Sequence, residues 1–231
     1  MPDHSYEIEI KSLLGDKAKA DDLVSKMKAA YPGLLELGSH KQLNHYFVPA
    51  EQAGNPLGQL CAKLKGKIDQ KKWSTLADLA EKAKDYSVRT RWADGKVLLV
   101  VKASVDDTTS SNGTARLEWE TQTDFSIEML DNLILESDFK YQAKWSRERS
   151  EYKYKGANVS IDKNAGYGYL SEFEMVIDDQ DKAEQTKSLL RQMMHELGIA
   201  ELPQDRLARM FDFYNKNWPD YYGTDNIFTI E

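Results

Sequence analysis

Tyr6-Glu7-Ile8-Glu9-Ile10-Lys11 is the stretch on which the fold turns. In a strand successive side chains point to opposite faces, so Glu7, Glu9 and Lys11 share one face and Tyr6, Ile8 and Ile10 the other. Alone, this would be a half-exposed strand with its charges in water. The pattern recurs, however. Val88-Arg89-Thr90-Arg91-Trp92, Arg116-Leu117-Glu118-Trp119-Glu120, Arg147-Glu148-Arg149 and Glu172-Phe173-Glu174-Met175 each place like charges at i and i+2, mostly with large apolar residues between them. A closed barrel has an inner and an outer face. If helices cover the apolar outside, the charged face lines the interior, the inverse of a filled barrel. Because ions in a dry interior cost several kcal/mol each, that interior must be wet, self-paired or ligand-filled.

The 231 residues suffice for one large domain, expected over 1–231, and the 41% hydrophobic content can supply its core. A formal net charge of -7 argues against a general binder of nucleic acid or anionic membranes, which would need an excess of cations. Cys61 is the only cysteine, which excludes an intrachain disulfide and a cysteine-based zinc site. The start of the sequence lacks the basic, apolar and small-residue order of a secretion signal, and the longest aliphatic run, Val97 to Val101, is far short of a membrane span. The expectation is a cytoplasmic protein with no membrane partner.

Outward from the first strand, Asp16 can cap a helix to about Ala30 with Leu23, Val24, Met27 and Ala30 on one face. A strand follows from Leu35 to Val48. Its two histidines, His40 and His45, are five apart and face opposite sides, so they do not form a metal pair. Residues 50 to 85 read as a helical insertion, with Leu57, Leu60, Leu64 and Ile68 at helical spacing and a second helix starting at Trp73-Ser74. Its basic run, Lys63, Lys65, Lys67, Lys71 and Lys72, reads either as a solvated face or as a cap that attracts polyanions. Asp94-Gly95 is a two-residue hairpin turn between Tyr86–Trp92 and Lys96–Ala103. Asp106 to Gly113 is a polar loop, Thr114–Thr121 a strand, and Asp124 or Ser126 starts a helix carrying Ile127, Leu130 and Ile134. Tyr141–Lys155 and Ala157–Lys163 form a hairpin turning at Gly156, then Tyr169–Ile177 is the last strand. Helices at about Asp181–Leu197 and Asp205–Asn217 close the chain.

This ordered set resembles the CYTH superfamily, the triphosphate tunnel metalloenzymes. Glu7, Glu9 and Lys11 look like its Glu-x-Glu-x-Lys signature, Arg89 and Arg91 its Arg-x-Arg strand, and Lys102 the lysine of the hairpin partner. Arg116 to Glu120 is similar to its middle acidic strand and Arg147 to Tyr152 to its basic strand. Ser160-Ile161-Asp162 with Gly166-Tyr167-Gly168 and Glu172-Phe173-Glu174 resembles its closing pattern. Two features depart from the family: the insertion at 50 to 85 is longer than the usual link, and Met210-Phe211 stands near the place of a common Ser-Tyr pair, so a role for Lys216 is not carried over.

The resemblance implies an α+β fold, an eight-stranded antiparallel β-barrel with helices packed outside, that binds a triphosphate with a divalent metal. Glu7, Glu9, Glu120, Asp162, Glu172 and Glu174 offer hard oxygen ligands suited to Mg2+ or Mn2+. Lys11, Arg89, Arg91, Lys102, Arg147 and Arg149 offer donors that match phosphate oxygens. Glu7, Glu9 and Lys11 are the expected catalytic residues. The implied activity is hydrolysis of tripolyphosphate, thiamine triphosphate or a nucleoside triphosphate. The alternatives are an adenylyl cyclase of class IV type and a binding module without turnover; the oligomeric state is open, a homodimer included. Arg89, Arg91, Arg147 and Arg149 are expected to face one another with too little carboxylate nearby to pair them all.

Overall fold

The computed structural model describes residues 6–51, 54–104, 109–110, 113–114 and 117–231. The expected polar loop from Asp106 to Gly113 falls mostly outside them, as does Arg116. In chain order the elements are β1 (Tyr6–Gly15), α1 (Lys17–Ala30), β2 (Leu35–Pro49), α2 (Pro56–Leu64), α3 (Gln70–Lys82), β3 (Asp85–Ala93), β4 (Lys96–Ser104), β5 (Thr109–Ser110), β6 (Gly113–Thr114), β7 (Leu117–Thr123), α4 (Ile127–Leu135), β8 (Phe139–Tyr154), β9 (Ala157–Asn164), β10 (Gly168–Ile177), α5 (Ala183–Glu196) and α6 (Gln204–Asn217). Eight strands form an antiparallel sheet in the order β1-β10-β9-β8-β2-β3-β4-β7, and among the described residues hydrogen bonds do not close it. The α+β class and its antiparallel sheet are as the sequence led one to expect.

The chain divides into two compact units, one of residues 1–41 and 146–231, the other of residues 42–145. In the first, Ile8, Ile10, Val159, Ile161 and Phe173 turn from the sheet to meet Leu23 and Met27 of α1 and Leu190, Met193 and Met194 of α5. Asp16 caps α1 by accepting the Lys19 amide N–H at 2.9 Å, which satisfies one of the four orphan donors at a helix start. The hairpin β8-β9 turns through Lys155 (φ 46°) and Gly156 (φ 88°), and Tyr154 pairs with Ala157. These left-handed angles belong to the turn whose twist matches paired strands.

In the second unit α2, α3 and α4 pack Leu57, Leu60, Leu64, Leu76, Leu130 and Ile134 against Phe47, Val88, Leu99 and Val101. Each such fully buried side chain contributes at most about 1.5 to 3 kcal/mol, which makes the insertion part of this core. Helix α3 begins at Gln70, three residues before the expected start, because Asp69 accepts the Lys72 N–H at 3.0 Å while Ser74 hydroxyl bonds back to the Gln70 carbonyl inside the helix. The basic run is largely engaged: Lys72 Nζ donates to the Glu120 carbonyl at 2.8 Å, Lys63 pairs with Glu136 at 2.8 Å, and Lys65 stands over the Trp73 ring. Strand β7 begins at Leu117 rather than Thr114, and α5 follows a short 3-10 turn, Gln180–Lys182. No helix among the described residues is long and apolar enough to cross a membrane.

Candidate functional site

Register assembles the charged face of the first unit. In antiparallel pairs directly opposed residues share a face. Glu9 opposes Glu174, which opposes Asn158, which opposes Lys153; one step along, Lys11 opposes Glu172, then Ser160, then Glu151. Leu170 opposes Asp162, which opposes Arg149, and Arg147 opposes Asn164. Eight of the sequence-derived site residues, Glu7, Glu9, Lys11, Arg147, Arg149, Asp162, Glu172 and Glu174, thus lie on one face of four consecutive strands. Ile8, Ile10, Val159, Ile161 and Phe173, each one position out of phase, point into the core on the other face.

At the centre of this face Lys11 Nζ bonds to Glu9 and stands 3.3 Å from Glu172. The Lys11 ammonium thus bridges the carboxylates of Glu9 and Glu172. Burial and the neighbouring Glu9 charge raise the Glu172 pKa above the ordinary glutamate value, although Lys11 and Arg149 work against the shift. Burial acts on Glu9 too, but there the Lys11 hydrogen bond and charge win and hold it below that value. Burial opposes the Lys11 ammonium, yet Glu172 and Glu9 together hold its pKa above that of ordinary lysine. Two neighbouring carboxylates, Glu9 half-exposed and Glu172 mostly buried, call for positive charge between them. Lys11 supplies one, and a hard divalent cation suits the same all-oxygen set.

Asn158 Nδ2 stands 3.5 Å from Glu174 Oε1, Asn158 Oδ1 accepts a 2.8 Å bond from Lys153 Nζ, and Glu7 is exposed. Among the described residues no three His, Cys, Asp or Glu side chains converge as a ready metal cage; Lys11 stands among the carboxylates. A cavity of about 230 Å³ opens beside this face, lined by Arg149, Glu151, Asn158, Ser160, Glu172 and Glu174 among others.

The arginines of this unit do not fit the expectation of an underpaired set. Arg149 donates from Nε and Nη2 to the two oxygens of Asp162, both at 2.7 Å, and Arg147 Nη1 lies 3.5 Å from the same carboxylate. Asp162 is 2% exposed, so it acts on Arg149 as a buried counter-ion. The fork geometry of guanidinium on carboxylate explains why an arginine is held here. Burial opposes the Arg149 charge and Asp162 outweighs it, raising its pKa.

Arg89, Arg91, Lys102 and Glu120 fall in the second unit. Arg89 opposes Val100, which opposes Glu120, so these share a face; Lys102 lies on the same face, opposite Ser87 and Glu118. Two neutral residues of β2 complete it, and the charge pattern gave no hint of them. Arg91 Nε donates to Asn44 Oδ1 at 3.1 Å, and Arg89 Nη1 donates to the Tyr46 hydroxyl at 3.2 Å with its guanidinium 5.5 Å from the Tyr46 ring centre. The signal that could have found them is the same period of two, since Asn44 and Tyr46 alternate with His45 and Phe47. The histidines sit as their spacing required: His40 is 3.6 Å from Glu151, while His45 turns to the opposite face and meets Asp131 of α4 at 2.7 Å.

The turn before β10 shows why glycines stand in Gly166-Tyr167-Gly168. Both have positive φ; a Cβ on Gly168 would lie 2.1 Å from the Gly15 carbonyl oxygen, and one on Gly166 would lie 2.7 Å from the Phe228 ring.

The CYTH domain family matches residues 5–209. The chain belongs to this family, which covers triphosphatases and class IV adenylyl cyclases. No curated relative matches by sequence at a significant level. Among solved structures, a protein from Pyrococcus horikoshii OT3 is similar with 18% identity and a TM-score of 0.52, over 86% of this chain and 94% of the other. A second Pyrococcus horikoshii OT3 protein has 16% identity and a TM-score of 0.53, over 84% and 92%. A "putative adenylate cyclase" from Vibrio parahaemolyticus has 11% identity and a TM-score of 0.54, over 90% and 98%. At such identities the likeness is one of fold.

Proposed function

We propose that the protein is a metal-dependent hydrolase of a triphosphate-containing small molecule. The observation that carries this reading is the row of Glu9, Lys11, Glu172 and Glu174 on one strand face, with Arg149 and Arg147 two strands away on the same face. Anion binding alone would need only the cations. Paired acidic strands beside them fit Mg2+ or Mn2+, which Glu9, Glu172 and Glu174, with Glu7 beside them, would hold; Asp162 stays with Arg149. When bound, such an ion supplies Lewis-acid charge to phosphate oxygens and a more acidic water.

The chain's own residues do the positioning. Lys11 is displaced from the carboxylates toward a phosphate oxygen, and Arg147 and Arg149 spread guanidinium donors over the polyanion, with Asp162 fixing the plane of the Arg149 fork. Within the second unit, Arg89, Arg91 and Lys102 offer donors of the same chemistry for phosphate. Phosphoryl transfer has a loose transition state stabilised mainly by position and charge, so a fixed set of cations is the chemistry required. We take the whole chain as one catalytic domain, with 50–85 as an addition to it. The test is to incubate the protein with tripolyphosphate, thiamine triphosphate and ATP, with Mg2+, Mn2+ or chelator, and identify products. Orthophosphate supports hydrolysis; cyclic AMP with pyrophosphate from ATP replaces it by cyclisation, and binding without products by a binding module.

A further inference from the structure

We infer that Leu37 is a specificity-determining residue, an apolar contact beside the acidic pairs for the organic group of a triphosphate monoester; this rests on the triphosphate reading. Inorganic tripolyphosphate has no part that could use it. The cavity of about 230 Å³ beside the charged face is bordered by Leu37 as well as by Arg149, Glu172 and Glu174. A single exposed leucine is ordinary. One that is 59% exposed and borders a cavity with a guanidinium and two carboxylates suits a ligand with an apolar part, because neither a metal ion nor a phosphate oxygen gains by touching it. The ions of such a ligand settle on the charged groups, and a ring joined to them through the ester oxygen settles on the leucine methyls.

Strand β2 breaks its alternation to place this side chain. Ser39 Oγ meets Ser150 Oγ at 2.8 Å, and Ser150 opposes Ile161 of the core; His40 Nδ1 is 3.6 Å from Glu151 on the charged face. A period of two counted back from Ser39 would put Leu37 on the side of Ser150. Instead it borders the cavity with Glu151 and Ser160, which oppose one another on the charged face. Between Leu37 and Ser39 stands Gly38 at φ 139°, a backbone conformation that side chains rarely adopt and glycine adopts freely. Among the described residues nothing beyond its chain neighbours lies within 4 Å of where a Cβ on Gly38 would stand, so the backbone angle and not crowding favours glycine. Register gives the substrate a direction. From Arg147 and Arg149 the face passes to Lys11 with Glu172, to Glu9 with Glu174, and then to Glu7 opposite Val176, an aliphatic residue 54% exposed. The terminal phosphate lies toward the arginines and the esterified phosphate toward Glu174 and Leu37.

The test is initial-rate kinetics of the full chain with Mg2+ on inorganic tripolyphosphate, thiamine triphosphate and ATP. The quantity read is kcat/KM for each organic triphosphate divided by that for tripolyphosphate; if wild type binds without turnover, the same ratio is taken from Kd by titration calorimetry. Wild type, Leu37→Ala, Leu37→Met, Gly38→Ala and the double variant Leu37→Ala with Gly38→Ala are compared. Leu37→Ala should lower the ratio for the better organic triphosphate about fivefold, the worth of ~40 Å² of lost apolar contact. Leu37→Met, apolar and of similar size, should keep it. Gly38→Ala should lower it too, by restoring the alternation that turns Leu37 away, and Leu37→Ala should then add nothing. If Gly38→Ala does not fold, Leu37→Ala against Leu37→Met decides alone. A loss shared equally by tripolyphosphate, an unchanged ratio in Leu37→Ala, or a wild type that takes tripolyphosphate alone overturns the inference and leaves the triphosphate reading standing. A wild type that neither turns over nor binds any of the three overturns both.

Discussion

Arg149→Ala tests the site's internal wiring. In the free protein Asp162 is 2% exposed and receives two 2.7 Å bonds from Arg149, with Arg147 at 3.5 Å as a second cation. Stripping one partner from a buried pair costs about 3 to 5 kcal/mol, because the remaining charge keeps its desolvation penalty. Arg147 is close enough to recover part of that, so about 2 to 3 kcal/mol is expected. For a chain of this size that lowers Tm by about 5 to 10 °C. An arginine facing only other arginines would instead leave Tm unchanged or raise it, which was the expectation from sequence alone.

The same variant should lose most of the stabilisation by magnesium tripolyphosphate, which for wild type at ~100 times Kd amounts to about 2.7 kcal/mol. The assay is thermal melting of wild type, Arg149→Ala, Asp162→Asn and the double variant, each with and without ligand. Coupling between the two sites should make the double variant less damaged than the sum of the singles. A melting temperature of ligand-free Arg149→Ala equal to wild type refutes the buried counter-ion. A large loss with an intact ligand shift refutes the phosphate role of Arg149.

Glu172→Gln removes a carboxylate whose ionisation burial and Glu9 oppose. A raised folded-state pKa means that Glu172 favours folding below the unfolded value and that this contribution is lost as pH rises through the folded value. The variant should therefore gain stability relative to wild type at neutral pH and lose the gain in acid, measured by denaturant melts across pH 3 to 8 (roughly the range over which a shifted carboxyl titrates); an advantage that grows in acid contradicts the assignment. Gly166→Ala, at φ +75° with a new Cβ 2.7 Å from Phe228, should destabilise by at least about 2 kcal/mol through overpacking and left-handed strain; a neutral result in urea unfolding would mean the turn can open. Lys67→Gln with Lys71→Gln should slow polyanion capture only at low salt, since exposed charges are screened beyond about 10 Å at 0.1 M. Rates unchanged at every ionic strength return the insertion to a purely structural role.

What was legible in the sequence was the period of two. Glu7-x-Glu9-x-Lys11 and Glu172-x-Glu174 each announce a charged and an apolar face, and both strands lie on the face that alternation assigned. Register was not legible: that Lys11 opposes Glu172, or that Arg149 opposes Asp162, is settled by pairings far apart in sequence. Charge counting therefore set Asp162 among metal ligands and left Arg149 underpaired, although the two close a bidentate pair. Neutral residues carried no charge signal, so Asn44 and Tyr46 passed unnoticed. Asp131 was visible in principle, as an acid on the apolar stripe of Ile127, Leu130 and Ile134, where a buried carboxylate demands partners.

The most direct test of triphosphate chemistry at the Glu9, Lys11, Glu172 and Glu174 face is orthophosphate release from tripolyphosphate by wild type, Glu9→Gln and Glu174→Gln, with Mg2+, Mn2+ or chelator. Turnover should require the metal and fall ~10²-fold or more in either variant, the usual loss for one catalytic contact, while both variants stay folded. Full activity in chelator, or undiminished turnover in both variants, would contradict it.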